Sequence, residues 1–285
     1  MEAKFFPSHP SLANMVKGYF LLDSFSPEES SNLFTPNGTP AISVPFGGLF
    51  EYSVLDNPIV EIGVETKFFD QIYLFGQLTT YGVQLLKGHI RLLLIVFSPN
   101  GLFTFSQKEV SQFTNKVIPI KKLNLPVFGD TFMDTLWNNS DGVAVVDLVE
   151  RELMRYMSQI NTSKKKRDIE PIIQEIISKR GIVSISDLGS DLGISQKVLE
   201  LEFKKQVGLS PKMFSRIVRF NNLMKNMGQI EKVDSLSFVT EMGYTDQSHL
   251  IKDYVKFTGL PPLKFLKDPN EADMSFKENN PNWSR

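Results

Sequence analysis

Cysteine is absent from the 285 residues, which rules out disulfides and thiolate metal sites and suits a reducing compartment. Histidine is scarce. His9, His89 and His249 are the whole supply, and they are spread over both halves, so a multi-histidine metal site of the barrel-oxygenase kind cannot be assembled. No stretch approaches the roughly 20 apolar residues of a membrane-spanning helix. The start, "MEAKFFPSHP", lacks the basic-then-apolar layout of a signal peptide. A cytoplasmic protein without a membrane partner is expected. Also missing are a G-x-S-x-G elbow, a phosphate-binding loop and a dinucleotide fingerprint. Glu51, Glu61 and Glu65 read as solvated strand faces, and the paired glycines of "PFGGLFEY" as a turn. Neither catalysis nor a cofactor is expected.

What is present is divided unevenly. The formal net charge is −1, which alone argues against a nucleic-acid partner. Yet residues 1–163 hold 11 Lys/Arg and 16 Asp/Glu, residues 164–268 hold 18 and 13, and residues 269–285 hold 2 and 3. A negative first part and a positive second part suggest two jobs, the second with an anionic partner. The boundary falls in "NTSKKKRD", Asn161 to Asp168, read as a solvated linker or a phosphate-contacting arm. Residues 269–285 read as a polar tail.

In the first part, "AISVPFG", "FEYSVL", "IVEIGVE", "QIYLFGQL" and "RLLLIVF" are short apolar runs bounded by Gly, Pro, Asn or Asp. They predict the strands of a small β-barrel or sandwich, cupin-like in kind. Helices follow. "SQKEVSQFTNKV" is a short candidate, and "VFGDTFMDTLW" spaces Phe128, Phe132 and Leu136 at i, i+4, i+8. "VAVVDLVERELMRYMSQI" is amphipathic, its apolar stripe suited to core packing or to a homodimer interface.

The second part contains a duplication. At an offset of 51, "SQKVLELEFKKQVGLSP" lies over "DQSHLIKDYVKFTGLPP". Gln196 meets Gln247, Leu199 meets Leu250, Phe203 meets Tyr254, Lys205 meets Lys256, Gly208 meets Gly259 and Pro211 meets Pro262. A repeated supersecondary unit is implied. Ser195 and Asp246 suit N-caps, Gly208 and Gly259 suit C-caps, and a proline follows each. Another short helical segment precedes each copy, "SISDLGSDL" and "SLSFVTEM", with Gly189 offering a small contact position in the first. Helix, glycine turn and capped helix make the helix-turn-helix layout, here twice, in an all-α unit. If Leu199 and Phe203 point inward, then Gln196, Lys197, Glu200, Leu201 and Lys204 point outward. In the second copy the outward set is Gln247, Ser248, Ile251, Lys252 and Val255. "SPKMFSRIVRFNNLMKNM" predicts a linker helix with Phe214, Ile217, Val218, Leu223 and Met227 inward and Lys212, Arg216, Arg219 and Lys225 on its polar side. At 1.5 Å per residue it spans roughly 25 Å, enough to hold two reading helices about one DNA turn apart.

These two stretches, "LGISQKVLELEFKKQVGLSPKMF" and "GYTDQSHLIKDYVKFTGLPPLKFL", closely resemble the DNA-binding domain of AraC/XylS-type transcription regulators, over about residues 168–268. The resemblance implies two helix-turn-helix units on successive major-groove segments of double-stranded DNA. It also implies a first part that senses a small-molecule effector, dimerises, or both, with RNA polymerase as a further partner. Base-facing positions carry over to Lys197, Glu200 and Leu201, and to Gln247, Ser248, Ile251 and Lys252. Lys197, Lys204, Lys205 and the amide end at Ser195 suit phosphate contacts by the first helix, and Gln196 and Lys256 are further DNA-binding candidates. Two positions depart from the family. Leu201 stands where Arg is usual, and leucine can pack on a thymine methyl but cannot bond a guanine edge. Val239 stands where Ala is preferred. Hence the first helix is expected to dock yet read fewer bases than the second, unless Leu201 packs within the domain. The alternative is a protein-interaction module whose helix-turn-helix units no longer read DNA.

Overall fold

The computed structural model describes residues 2–46, 50–55, 61–62, 71–139, 141–160, 167–189, 193–226 and 236–262. The expectations placed on Gly47, Gly48, Glu65, Met227, most of the 161–168 boundary and the tail lie outside these residues. The architecture is a β-sheet region followed by a helical region, as the sequence predicts.

Eight strands form one sheet: β1 Glu2–Pro7, β2 Val16–Phe34, β3 Ala41–Pro45, β4 Phe50–Leu55, β5 Glu61–Ile62, β6 Tyr73–Phe75, β7 Gly82–Phe97 and β8 Lys116–Pro119. Their order is β1-β2-β7-β3-β6-β8-β5, with β4 also paired to β7. The long ribbon of β2 and β7 organises the rest. It runs antiparallel from Val16↔Phe97 to Phe34↔Gly82, with a register shift between Ser26 and Ser30. On β7, Leu93, Ile95 and Phe97 share a face at period two, and β3 sets Val44 opposite Leu93 and Ile42 opposite Ile95. All five are fully buried.

That apolar face is covered by helices. These are α1 Gly101–Ser106, α2 Asp130–Trp137 and α3 Gly142–Gln159. The stripe of α3, Val145, Val149, Leu153 and Tyr156, enters the same core cluster as Leu93 and Ile95, so of the two expected uses for it the structure shows core packing. Asp141 caps α3 by accepting from the Val143 amide. On the same helix Glu150 accepts from the Tyr19 hydroxyl at 3.1 Å, and burial together with that carboxylate pushes the tyrosine pKa far up. The segment "SQKEVSQFTNKV" is not an α-helix. It forms a 3-10 turn, Val110–Phe113, and then β8. Asn115 adopts a left-handed φ of 57°, which stops a helix, and Val117 then alternates inward opposite Phe75 of β6.

The helical region comprises α4 Glu170–Ser178, α5 Gln196–Val207, α6 Pro211–Lys225, α7 Leu236–Glu241 and α8 Gln247–Thr258. It has its own core cluster: Ile172, Ile173 and Ile176 of α4 meet Leu199 and Phe203 of α5, Phe214, Ile217 and Phe220 of α6, and Leu250, Tyr254 and Phe257 of α8. The described residues of "SISDLGSDL" form turns over 185–189 rather than a regular helix, and residues 190–192 lie outside the described residues. Its serines bond locally, Ser184 to Ser186 at 2.8 Å and Ser186 to Asp187 at 3.0 Å, which offers the backbone an alternative to a helix. Gly189 does mark a close approach, but by backbone: a Cβ there would lie 2.6 Å from the Ile194 carbonyl oxygen.

Candidate nucleic-acid interface

Helices α5 and α8 are built alike. In α5 the Ser195 hydroxyl accepts from the Val198 amide, and Gly208 closes the helix at φ 86° with its amide bonded to the Lys204 and Phe203 carbonyls. In α8 the Asp246 carboxylate accepts from the His249 amide at 2.8 Å, and Gly259 closes the helix at φ 77°. Only glycine holds that left-handed conformation without strain. Such caps fix where each helix starts and ends, and so fix which residues form its outer face.

That outer face agrees with the helical spacing. Gln196, Lys197, Leu201 and Lys204 are exposed and Glu200 is half-buried, while Gln247, Ser248, Ile251, Lys252 and Val255 are all exposed. Leu201 is 60% exposed and therefore does not pack within the domain. Gln196 reaches Glu200 at 3.4 Å across one turn. His249 is half-buried, its Nδ1 3.1 Å from the Thr245 hydroxyl and its ring edge-on to Tyr244, the bonding of a structural histidine.

Lys205 and Lys256 are placed differently from the rest. Both lie in the last turn of their helices and are half-buried. The Lys205 ammonium stands 5.8 Å from the Phe103 ring centroid, and burial, with Arg216 beside it, lowers the Lys256 pKa.

Two cations on the polar side of α6 turn inward instead of facing solvent. Arg216 forks onto the carboxylate of Asp253 in α8, with Nε 3.1 Å from Oδ1, and stacks near Phe257. Arg219 donates to the Gly243 carbonyl at 2.8 Å and lies over the Tyr244 ring at 5.2 Å. The linker helix thereby holds the second unit by hydrogen bonds as well as by apolar contact. An acid at the buried position one residue before Tyr254, Phe203's counterpart, was the available signal, since Asp253 follows Lys252 on a face that Tyr254 and Phe257 make internal.

The junction of the two regions contains a cavity of about 190 Å³ lined by Lys17, Asn37, Thr39, Arg180, Asn222 and Lys225, among others. Lys17 comes from β2 and Lys225 from the end of α6. Lys17 and Lys225 both keep exposed surface, yet desolvation by the surrounding protein lowers the pKa of Lys17, with Glu170 opposing and Lys225 adding to the shift. Burial and then Arg180 lower that of Lys225. No helix among the described residues is long and apolar enough to cross a membrane.

Comparison with known families and structures adds the following. Residues 188–268 match a family described as a helix-turn-helix domain, and residues 4–119 match one described as a domain of unknown function, DUF6597. No curated protein matches the chain in sequence. Among solved structures, ToxT from Vibrio cholerae is 11% identical over 87% of this chain and 98% of its own, with a TM-score of 0.42. ToxT of Vibrio cholerae strain SCE256 with bound unsaturated fatty acid is 10% identical over 87% and 94%, at 0.42. The AraC-like transcriptional activator CuxR is 11% identical over 78% and 94%, at 0.30.

Proposed function

We propose that this chain, which carries an AraC-type helix-turn-helix domain over residues 188–268, is a cytoplasmic, sequence-specific transcriptional regulator. Its first part, residues 1–163, senses an effector or dimerises, and residues 164–268 read DNA through both helix-turn-helix units. The observation that carries this reading is the pair of capped helices α5 and α8, which present equivalent exposed faces in the net-positive part of the chain. Lys197 and Lys204 suit phosphates, while Gln247 and Lys252 suit adenine and guanine edges. Leu201 and Ile251 offer methyl contacts to thymine and no hydrogen bond, so α8 reads more than α5.

The junction cavity is the seat we assign to an effector. Three cationic side chains from both regions converge on it, so the ligand it favours is a small anion. Such a ligand would tie Lys17 to Lys225 and bias how the two regions meet, which gives it leverage over DNA occupancy and polymerase recruitment.

The test is selection of duplexes from a random library by the full chain at two salt concentrations. An enriched two-part motif, with affinity falling steeply as salt rises, supports the regulator, because displaced counterions produce that slope. No enrichment and no slope would favour the second reading, a protein-contact module. The exposed Leu201 beside Glu200 is the observation that supports that alternative.

A further inference from the structure

The β-sheet region touches α5 and α8 near their C-terminal ends. Thr114 donates to the Gly208 carbonyl, at the end of α5, at 2.6 Å. Thr80 donates to the Lys256 carbonyl, in the last turn of α8, at 2.8 Å. Carbonyls at a helix end have no donor within the helix, so each hydroxyl satisfies a group that the duplicated unit leaves open. The cap glycines sit beside the same two anchors. A Cβ on Gly208 would lie 2.9 Å from Val110 Cγ1 and 3.0 Å from Thr114 Oγ1, and one on Gly259 would lie 2.6 Å from the Tyr81 ring. Gly208 and Gly259 are partners in the 51-residue repeat.

The two anchors are themselves one piece. The Asn115 side chain accepts from the Thr79 amide at 2.9 Å and donates to the Thr79 hydroxyl at 2.9 Å. The Asn115 amide reaches the Gln77 carbonyl at 2.7 Å, and the Gly76 amide reaches the Lys116 carbonyl at 3.0 Å. The loop bearing Thr80 is therefore bonded, residue by residue, to the loop bearing Thr114.

From this we propose that Thr80 and Thr114 are positioning residues for DNA reading. Bridged through Asn115, they hold α5 and α8 at one separation, so the β-sheet region sets the spacing between the two half-motifs that the protein accepts. This rests on the regulator reading above. The device does not touch DNA. It acts through the C-terminal ends of the helices, away from Gln196, Lys197 and Gln247 in their first turns.

The experiment uses the full chain and a duplex library in which the two selected half-motifs are separated by spacers of varied length. Wild type should retain one spacer length. Thr80→Val with Thr114→Val should accept spacers one or two base pairs off, narrowing the discrimination by about tenfold, the order of two lost hydrogen bonds. Thr80→Ser with Thr114→Ser, which keeps both hydroxyls, should restore the wild-type profile. Asn115→Gly, which suits the left-handed backbone there but cuts the bridge between loops, should broaden it as well and serves if the valine pair does not fold. Folded valine and glycine variants with an unchanged spacer profile would overturn the proposal while leaving the regulator intact. A wild type that retains no two-part motif at any spacing would sink both.

Discussion

Arg216 of the linker helix grips Asp253 of α8 through two guanidinium nitrogens, and the carboxylate is 1% exposed. A buried carboxylate is tolerated only while its partner stands. Arg216→Met should therefore destabilise the helical region by about 3 kcal/mol, the usual order for stranding a buried charge. Asp253→Asn, which keeps an acceptor oxygen for the guanidinium, should cost less. Urea unfolding of both variants checks this. Equal, small losses would mean that the pair contributes nothing to how α6 holds α8.

The repeat, the caps and the outer faces were legible in the sequence because each depends on a few residues at fixed spacing. Ser195, Gly208, Asp246 and Gly259 announce helix ends wherever the helices end up. The β-sheet region was harder. Its five quoted runs all become strands at least in part, but β1 and most of β2 were not foreseen. Residues 24–34 are rich in Ser and Glu and carry none of the apolar alternation that marks a strand; they are extended because β7 pairs with them. Arg216 and Arg219 looked solvated for a similar reason. A helical wheel shows which side of α6 is polar, but not that a carboxylate and a carbonyl from other elements lie on that side. The anchors Thr80 and Thr114 lie in loops with no period to read, and only the folded chain brings them to the helix ends.

Leu201 is the residue on which the first reading helix turns. Leu201→Arg should change or lengthen one half of the selected motif and raise the salt slope of binding by about 1, the mark of one more cation at the duplex. Its 60% exposure means that the substitution disturbs no packing, so unfolding curves should overlay those of wild type. An unaltered motif would mean that α5 docks without reading at this position.

Gln247 and Lys252 are expected to carry the reading of the second helix. Each alanine substitution should cost about 1–3 kcal/mol on the preferred duplex and relax the motif at one position only. Lys204→Ala, by contrast, should weaken all duplexes alike, because a phosphate contact carries no sequence information. Binding to the selected motif and to its single-base variants separates the two behaviours. If Lys252→Ala weakened every duplex equally, Lys252 would be a phosphate contact.

The junction cavity makes a prediction about pH. Lys17 and Lys225 have folded-state pKa values below the ordinary lysine value, chiefly through partial desolvation by neighbouring protein. Between those lowered values and the ordinary one the folded chain binds fewer protons than the unfolded chain. Stability from these two groups therefore rises with pH across that window, and the full penalty of keeping both groups charged and partly desolvated persists below it. An anion seated between the ammonium groups would favour their charged forms and raise both pKa values. Binding of sulfate, which does not itself titrate in this range, should thus take up protons at alkaline pH and weaken as pH climbs through the lowered lysine values. Calorimetry in two buffers of different ionisation enthalpy reads the proton uptake directly. Lys17→Met with Lys225→Met should abolish the sulfate signal and remove the alkaline rise in stability, since both depend on these two ammonium groups. Sulfate binding that is indifferent to pH and survives the double substitution would place the anion elsewhere and leave the cavity without a ligand role.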